Sequence, residues 1–181
     1  MPITTRLATF NDVPVLQKLI AQSVRGLSKN YYSANQIESA IKYIFGVDTQ
    51  LLIDGTYYVA EDEDELIACG GWSKRQTLYG GDQHKEVADP LLDPLTDAAR
   101  IRAFFVHPAW ARRGIGRMMI ELCENAAKNN GFKAMELGAT LPGEPLYAAL
   151  GYKSLAKIPA IMPDGEQLPI VKMRKELDVP Q

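Results

Sequence analysis

Cysteine and histidine are scarce in this chain, two of each among 181 residues. Cys69 and Cys123 both sit in apolar patterns, so they read as reduced core residues and offer no disulfide, metal site or thiol nucleophile. No metal is expected. Long apolar runs are missing as well. None approaches the roughly 20 residues that span a bilayer, and Met1 to Phe10 lacks the apolar segment of a secretion signal. The expectation is a cytoplasmic protein with no membrane partner. A strong charge of either sign is also absent, the formal net charge being -2. A general nucleic-acid binder needs a basic surface to displace counterions, so no nucleic-acid partner is expected.

What is present is a 46% hydrophobic composition, enough for a proper core. The length fits a single domain over residues 1–181 with an irregular excursion at about 73–100. The chain is organised around Ile101 to Arg117, IRAFFVHPAWARRGIGR. Its first six residues, Ile101 to Val106, have the aromatic and β-branched character of a buried strand, and His107-Pro108 ends it. Arg112, Arg113, Gly114, Ile115 and Gly116 then bring unpaired backbone N–H groups to a helix start, where glycine lets an anion approach closely. Ile115, Met119, Leu122, Cys123 and Ala126 continue as a helical stripe to Asn129, Asn130 and Gly131, and Ala134 to Gly138 reads as the next strand. Strand, turn, helix and strand make a βαβ unit with its anion site at the carboxyl end of a strand.

On either side of this unit the pattern is mixed. Ile3 to Leu7 is a short strand, and Thr9, Asn11 and Asp12 cap a helix whose stripe runs from Val13 to Val24 and ends at Gly26. A second helix starts after Ser33, with Gln36 as capping partner and Ile37, Ile41 and Ile44 on its buried face. Tyr57 to Glu61 and Leu66 to Trp72 form a hairpin around a polar tip. The excursion Ser73 to Arg100 carries Asp82, Glu86, Asp89, Asp93 and Asp97 and reads either as a solvated loop or as a substrate-facing lid. A short helix lies within Pro142 to Gly151, and Tyr152 to Leu155 and Leu168 to Met173 close the sheet around Pro163-Asp164-Gly165.

The glycine turn alone does not name a ligand. No Gly-Lys-Ser or Gly-Lys-Thr follows, so a nucleoside-triphosphate P-loop is unsupported, and no third glycine completes a dinucleotide fingerprint. Arg112, Arg113 and Arg117 suit a pyrophosphate with an extra phosphate, or else are solvent-exposed residues of a helix start.

A second stretch narrows the choice, because Tyr147 stands four residues before Gly151, which leads into a strand. VHPAWARRGIG, followed about thirty residues later by PLYAALGYKSL, resembles the GCN5-related N-acetyltransferases (GNAT), and the element order of nearly the whole chain is similar. The resemblance implies an α/β fold of the acyl-CoA N-acyltransferase type. It would have a central mixed, mostly antiparallel twisted sheet with a splayed parallel strand pair, flanked by helices. It also implies acetyl-CoA as cosubstrate, with backbone at Phe105 and Val106 on the pantetheine and acetyl carbonyl. The phosphates would lie on Arg112, Arg113, Gly114, Ile115, Gly116 and Arg117. Ala111 stands where the family has Gln or Arg, and Thr140 where it often has Asn. Most of the phosphate cradle is backbone N–H and helix dipole, which do not depend on residue 111, and Arg112 is placed to substitute.

The implied reaction is direct attack by an uncharged primary amine of a small molecule or peptide on the thioester, through an oxyanion stabilised by backbone N–H. Tyr147 is the candidate acid for the leaving thiolate. Glu61 and Glu136 are candidate bases outside the core site, and His107 reads as a turn residue. The alternative is a catalytically silent acyl-CoA-binding or interaction module. A homodimer through the C-terminal strands is compatible with the pattern.

Overall fold

The computed structural model describes residues 2–85 and 89–178. Seven strands form one sheet: β1 (Thr4–Leu7), β2 (Tyr57–Asp62), β3 (Glu65–Ser73), β4 (Ala99–Val106), β5 (Ala134–Thr140), β6 (Lys153–Ile161) and β7 (Gln167–Glu176). Their spatial order is β1-β2-β3-β4-β5-β7-β6. Every neighbouring pair is antiparallel except β4 with β5. That parallel pair follows from the right-handed crossover through a helix. It is also short: Ala99 faces Met135 and Arg100 faces Glu136, and there the pairing stops. The mixed sheet with a splayed parallel pair is therefore present as expected.

Helices cover both faces. On one lie α1 (Val13–Ser28), α2 (Ala34–Tyr43) and α3 (Thr49–Asp54), burying Leu16, Ile20, Ile37 and Leu51 against Tyr57, Val59, Cys69 and Ile170 of the sheet. On the other lie α4 (Ile115–Asn129) and α5 (Glu144–Ala149), with Ile120, Cys123 and Tyr147 packed on Ile101, Met135 and Met173. Both cysteines are free and buried, and burial pushes the Cys69 thiol up to about 12, so they are core residues as their apolar context indicates.

Three local expectations need correction. Gly26 does not end α1, which continues to Ser28. A Cβ at Gly26 would collide with the Pro108 ring, so the glycine serves close packing of the helix on the turn that follows β4. Strand β4 begins at Ala99, two residues before Ile101, because Ala99 and Arg100 make the parallel pairing. Helix α3 has no counterpart in the apolar periodicity. Its signal is at its ends, where Asp48 Oδ1 accepts the Gln50 N–H at 3.0 Å and Gly55 closes it with φ 70°.

Candidate active site

The site begins with an irregularity in β4. Val106 pairs with Ala68 and Phe105 with Cys69, but the next pairing joins Arg102 to Gly71, so Gly70 alone faces Ala103 and Phe104. This is a β-bulge. Ala103 takes φ 52°, in the left-handed region that a residue with a Cβ rarely occupies. Two features accommodate it. A Cβ on Gly70 would lie 2.6 Å from the Phe104 ring, so only glycine leaves room for that ring, and the buried Tyr57 hydroxyl donates to the Ala103 carbonyl at 2.7 Å. Beyond Arg100 the edge of β4 that faces β5 has no strand partner among the described residues. Phe105 and Val106 thus stand on a free edge at the mouth of a slot between two diverging strands.

The turn after β4 is built by local hydrogen bonds. The His107 backbone N–H donates to Ile67 at 2.8 Å, and its Nδ1 accepts the Ala109 N–H at 3.1 Å, capping a short 3-10 turn over Pro108–Trp110. His107 is a turn residue. Arg112 (φ 63°) and Gly114 (φ 83°) then redirect the chain into α4, which Ile115 anchors in the core. No side chain caps α4 and no acidic residue lies in its first turn. Arg112, Arg113 and Arg117 instead surround the positive end of the helix dipole, the unfavourable end for cations. Arg113 is held over the Trp110 ring, 4.8 Å from its centre. A row of orphan N–H groups with three arginines beside it is stabilised by an anion, and a Cβ at Gly114 would meet nothing within 4 Å, so the approach is open. These residues fit a phosphate group.

Tyr147 lies next to this turn. A Cβ at Gly116 would be 2.9 Å from Leu146, which shows how closely α5 meets the start of α4. Thr140 Oγ1 accepts the Gly143 N–H at 3.3 Å, so threonine supports the chain reversal into α5 where the family often has asparagine. Tyr147 is 9% exposed and packs edge-on against Tyr152, with ring centres 5.7 Å apart. The two phenols differ in their bonding. The Tyr152 hydroxyl donates to Glu124 at 2.8 Å, and Lys175 also meets Glu124 at 3.0 Å, whereas the Tyr147 hydroxyl makes no hydrogen bond among the described residues. Burial, with a smaller contribution from Cys123, raises the Tyr147 pKa well above the ordinary tyrosine value. It is a protonated donor that lacks an acceptor.

The candidate bases are already paired. Glu61 is ion-paired to Arg6 at 2.9 Å on the outer strands. Glu136 is shared by Arg174 at 2.9 Å and Lys172 at 3.3 Å, with Arg100 at 3.9 Å. Both are structural counter-ions.

The excursion between β3 and β4 is tied to the fold at several charged residues, while Asp82, Asp93 and Asp97 stay exposed. Arg75 pairs with Asp54 at 2.7 Å and Lys85 with Asp48 at 2.6 Å, and Gly81 donates to Ile44 at 2.7 Å. Several of its acids bond within the fold: Asp82 accepts the Thr49 N–H at 2.9 Å and Asp89 the Thr77 N–H at 2.8 Å. Glu86 lies outside the described residues. Periodicity missed this strap because its partners are single charged residues far apart in sequence.

A bulged strand splaying from a parallel neighbour, with an uncapped glycine turn at its end, defines an acyl-CoA N-acyltransferase fold. Residues 54–154 match the family model described as the acetyltransferase (GNAT) domain, and the chain belongs to that family. It is thus an acyltransferase with acetyl-CoA as cosubstrate. Among solved structures it is similar to a GCN5-related N-acetyltransferase from Rhodopseudomonas palustris, at 18% identity and a TM-score of 0.73, covering 98% of this chain and 97% of that one. The PaiA N-acetyltransferase of Thermoplasma acidophilum, in complex with coenzyme A, aligns with a TM-score of 0.64 at 16% identity over 97% of this chain and 99% of that one. The structure of yncA from Salmonella typhimurium, with its cofactor acetyl-CoA, aligns with a TM-score of 0.63 at 16% identity over 100% of this chain and 97% of that one. At these identities the likeness is one of fold. No curated protein matches the sequence.

Proposed function

We propose that this protein transfers an acetyl group from acetyl-CoA to a primary amine of a small molecule or peptide by direct attack. The observation that carries the reading is the uncapped start of α4, lined by three arginines, at the mouth of the β4–β5 slot and in contact with the helix that bears Tyr147. When bound, acetyl-CoA supplies an acetyl group activated as a thioester. Backbone N–H groups of Arg113 to Gly116 would hold its phosphates, with Arg112 and Arg117 adding charge. The free edge of β4 at Phe105 and Val106 would receive the pantetheine, because its backbone groups have no strand partner on that side. Tyr147, whose hydroxyl has no hydrogen-bond partner among the described residues, would donate its proton to the departing thiolate and regain one from water. With Glu61 and Glu136 neutralised by cations, the amine proton leaves through water. Two buried cysteines without a disulfide fit a reducing, cytoplasmic setting.

The phosphate assignment is tested by Gly116→Glu. The new side chain meets Leu146 and places a carboxylate at the anion site, so titration calorimetry should show acetyl-CoA affinity falling by about 100-fold or more. Unchanged affinity in a folded variant would place the cofactor elsewhere.

A further inference from the structure

The bulge at Ala103 is held by two buried groups. Tyr57, fully buried on β2 of the same sheet, bonds the Ala103 carbonyl. The second is the residue just before it: Arg102 is 1% exposed, and its Nη2 pairs with Asp48 Oδ2 at 3.0 Å. The same guanidinium bonds the Gly80 carbonyl and, at 3.4 Å, that of Thr77. Asp48 is itself fully committed: it is 0% exposed, caps α3, and takes Lys85 at 2.6 Å. A guanidinium buried this completely is tolerated only because a carboxylate and carbonyls surround it. That buried charge falls on a residue directly adjoining the strained φ of β4.

We propose that Arg102 is a positioning residue for acyl transfer: braced by Asp48 and by the Thr77 and Gly80 carbonyls, it fixes the bulge at Ala103 and so aims the free edge at Phe105 and Val106. Thr77, Gly80 and Lys85 of the strap then support the cofactor site, although none of the three need touch cofactor. Without the brace, a non-glycine residue at φ 52° relaxes towards ordinary strand geometry, and the slot beside β5 narrows. The effect should fall on the pantetheine and acetyl portion and spare the phosphates, which lie on the turn beyond His107. This rests on the acetyl-CoA reading above.

The test compares two ligands by calorimetry: acetyl-CoA, and phospho-ADP, the nucleotide end of CoA alone. Arg102→Lys keeps the charge but loses the fork. It should bind phospho-ADP within about twofold of wild type and acetyl-CoA about tenfold more weakly. Adding Ala103→Gly, which makes the left-handed φ unstrained, should recover at least about threefold of the lost acetyl-CoA affinity. A role confined to general stability would not be rescued by that glycine. If Arg102→Lys does not fold, Tyr57→Phe removes only the hydroxyl anchor on the Ala103 carbonyl and should show the same split between ligands. Parallel loss of both ligands, no loss of acetyl-CoA affinity, or no recovery with glycine would overturn the positioning role. Wild type binding neither ligand would instead show that the acetyl-CoA reading itself fails, and the inference with it.

Discussion

At the scale of single residues, the proposed chemistry rests on Tyr147. Two tyrosines touch in α5 and just before β6, and their hydroxyls have different fates: Tyr152 donates to Glu124, while Tyr147 has no hydrogen bond among the described residues. Replacing Tyr147 with Phe removes no hydrogen bond from the described fold, so stability should hold. Acetyl-CoA affinity should be unchanged and kcat should fall about 100-fold, read by thiol release at saturating cosubstrate. Burial raises the Tyr147 pKa, and a raised phenol pKa keeps the proton bound as pH increases. Any alkaline fall in rate below pH 10 therefore has a source other than Tyr147, and Tyr147→Phe should retain the wild-type pH profile at reduced height. The candidacy of this residue rests on its spacing to Gly151, which is legible in the sequence. Its lack of an acceptor was not, because that depends on the Glu124 carboxylate accepting from Tyr152 and Lys175 instead.

At the scale of elements, each helix start shows a different solution to its orphan donors. Ser33 and Gln36 form a capping box for α2, as their spacing indicates, and Asp48 caps α3. The starts of α1, α4 and α5 all lack a side-chain cap, and α4 differs from the other two in having neither a proline nor an acid in its first turn. Before α1, Asp12 accepts the Thr9 N–H at 2.8 Å and pairs with Arg6 at 2.8 Å, tying the helix entrance to β1. The Arg6 hydrogen bonds hold the Asp12 carboxyl at about 2, below its ordinary value of 3.8. A depressed folded pKa gives stability that is present above the unfolded value and lost as pH falls towards the folded one. Asp12→Asn should thus cost about 1 kcal/mol at pH 7, after allowance for solvent screening, with the difference from wild type fading between about pH 4 and pH 2. Urea melts of both proteins at the two pH values measure it, and an equal difference at both would refute the linkage.

At the scale of the whole molecule, the central unit from Ile101 to Tyr152 was readable because its signals are local: an apolar strand, a glycine turn, a 3.6-residue stripe and a tyrosine at fixed spacing. The strap between β3 and β4 was opaque for the opposite reason. Its order comes from Arg102, Asp48, Lys85 and Asp89, which leave no period in the sequence and meet only in the folded chain. The same holds for the bulge, whose left-handed φ at an alanine is set by Tyr57 and Gly70 from other strands. Fold and anion site together support one activity, acetyl transfer to an amine. The most direct measurement is release of free thiol from acetyl-CoA by the wild-type protein across a panel of primary amines. The account predicts at least one amine that raises release above the amine-free rate, with the acetylated amine appearing in equal amount. Tight acetyl-CoA binding with no amine-dependent release from a broad panel would contradict it and leave a silent binding module.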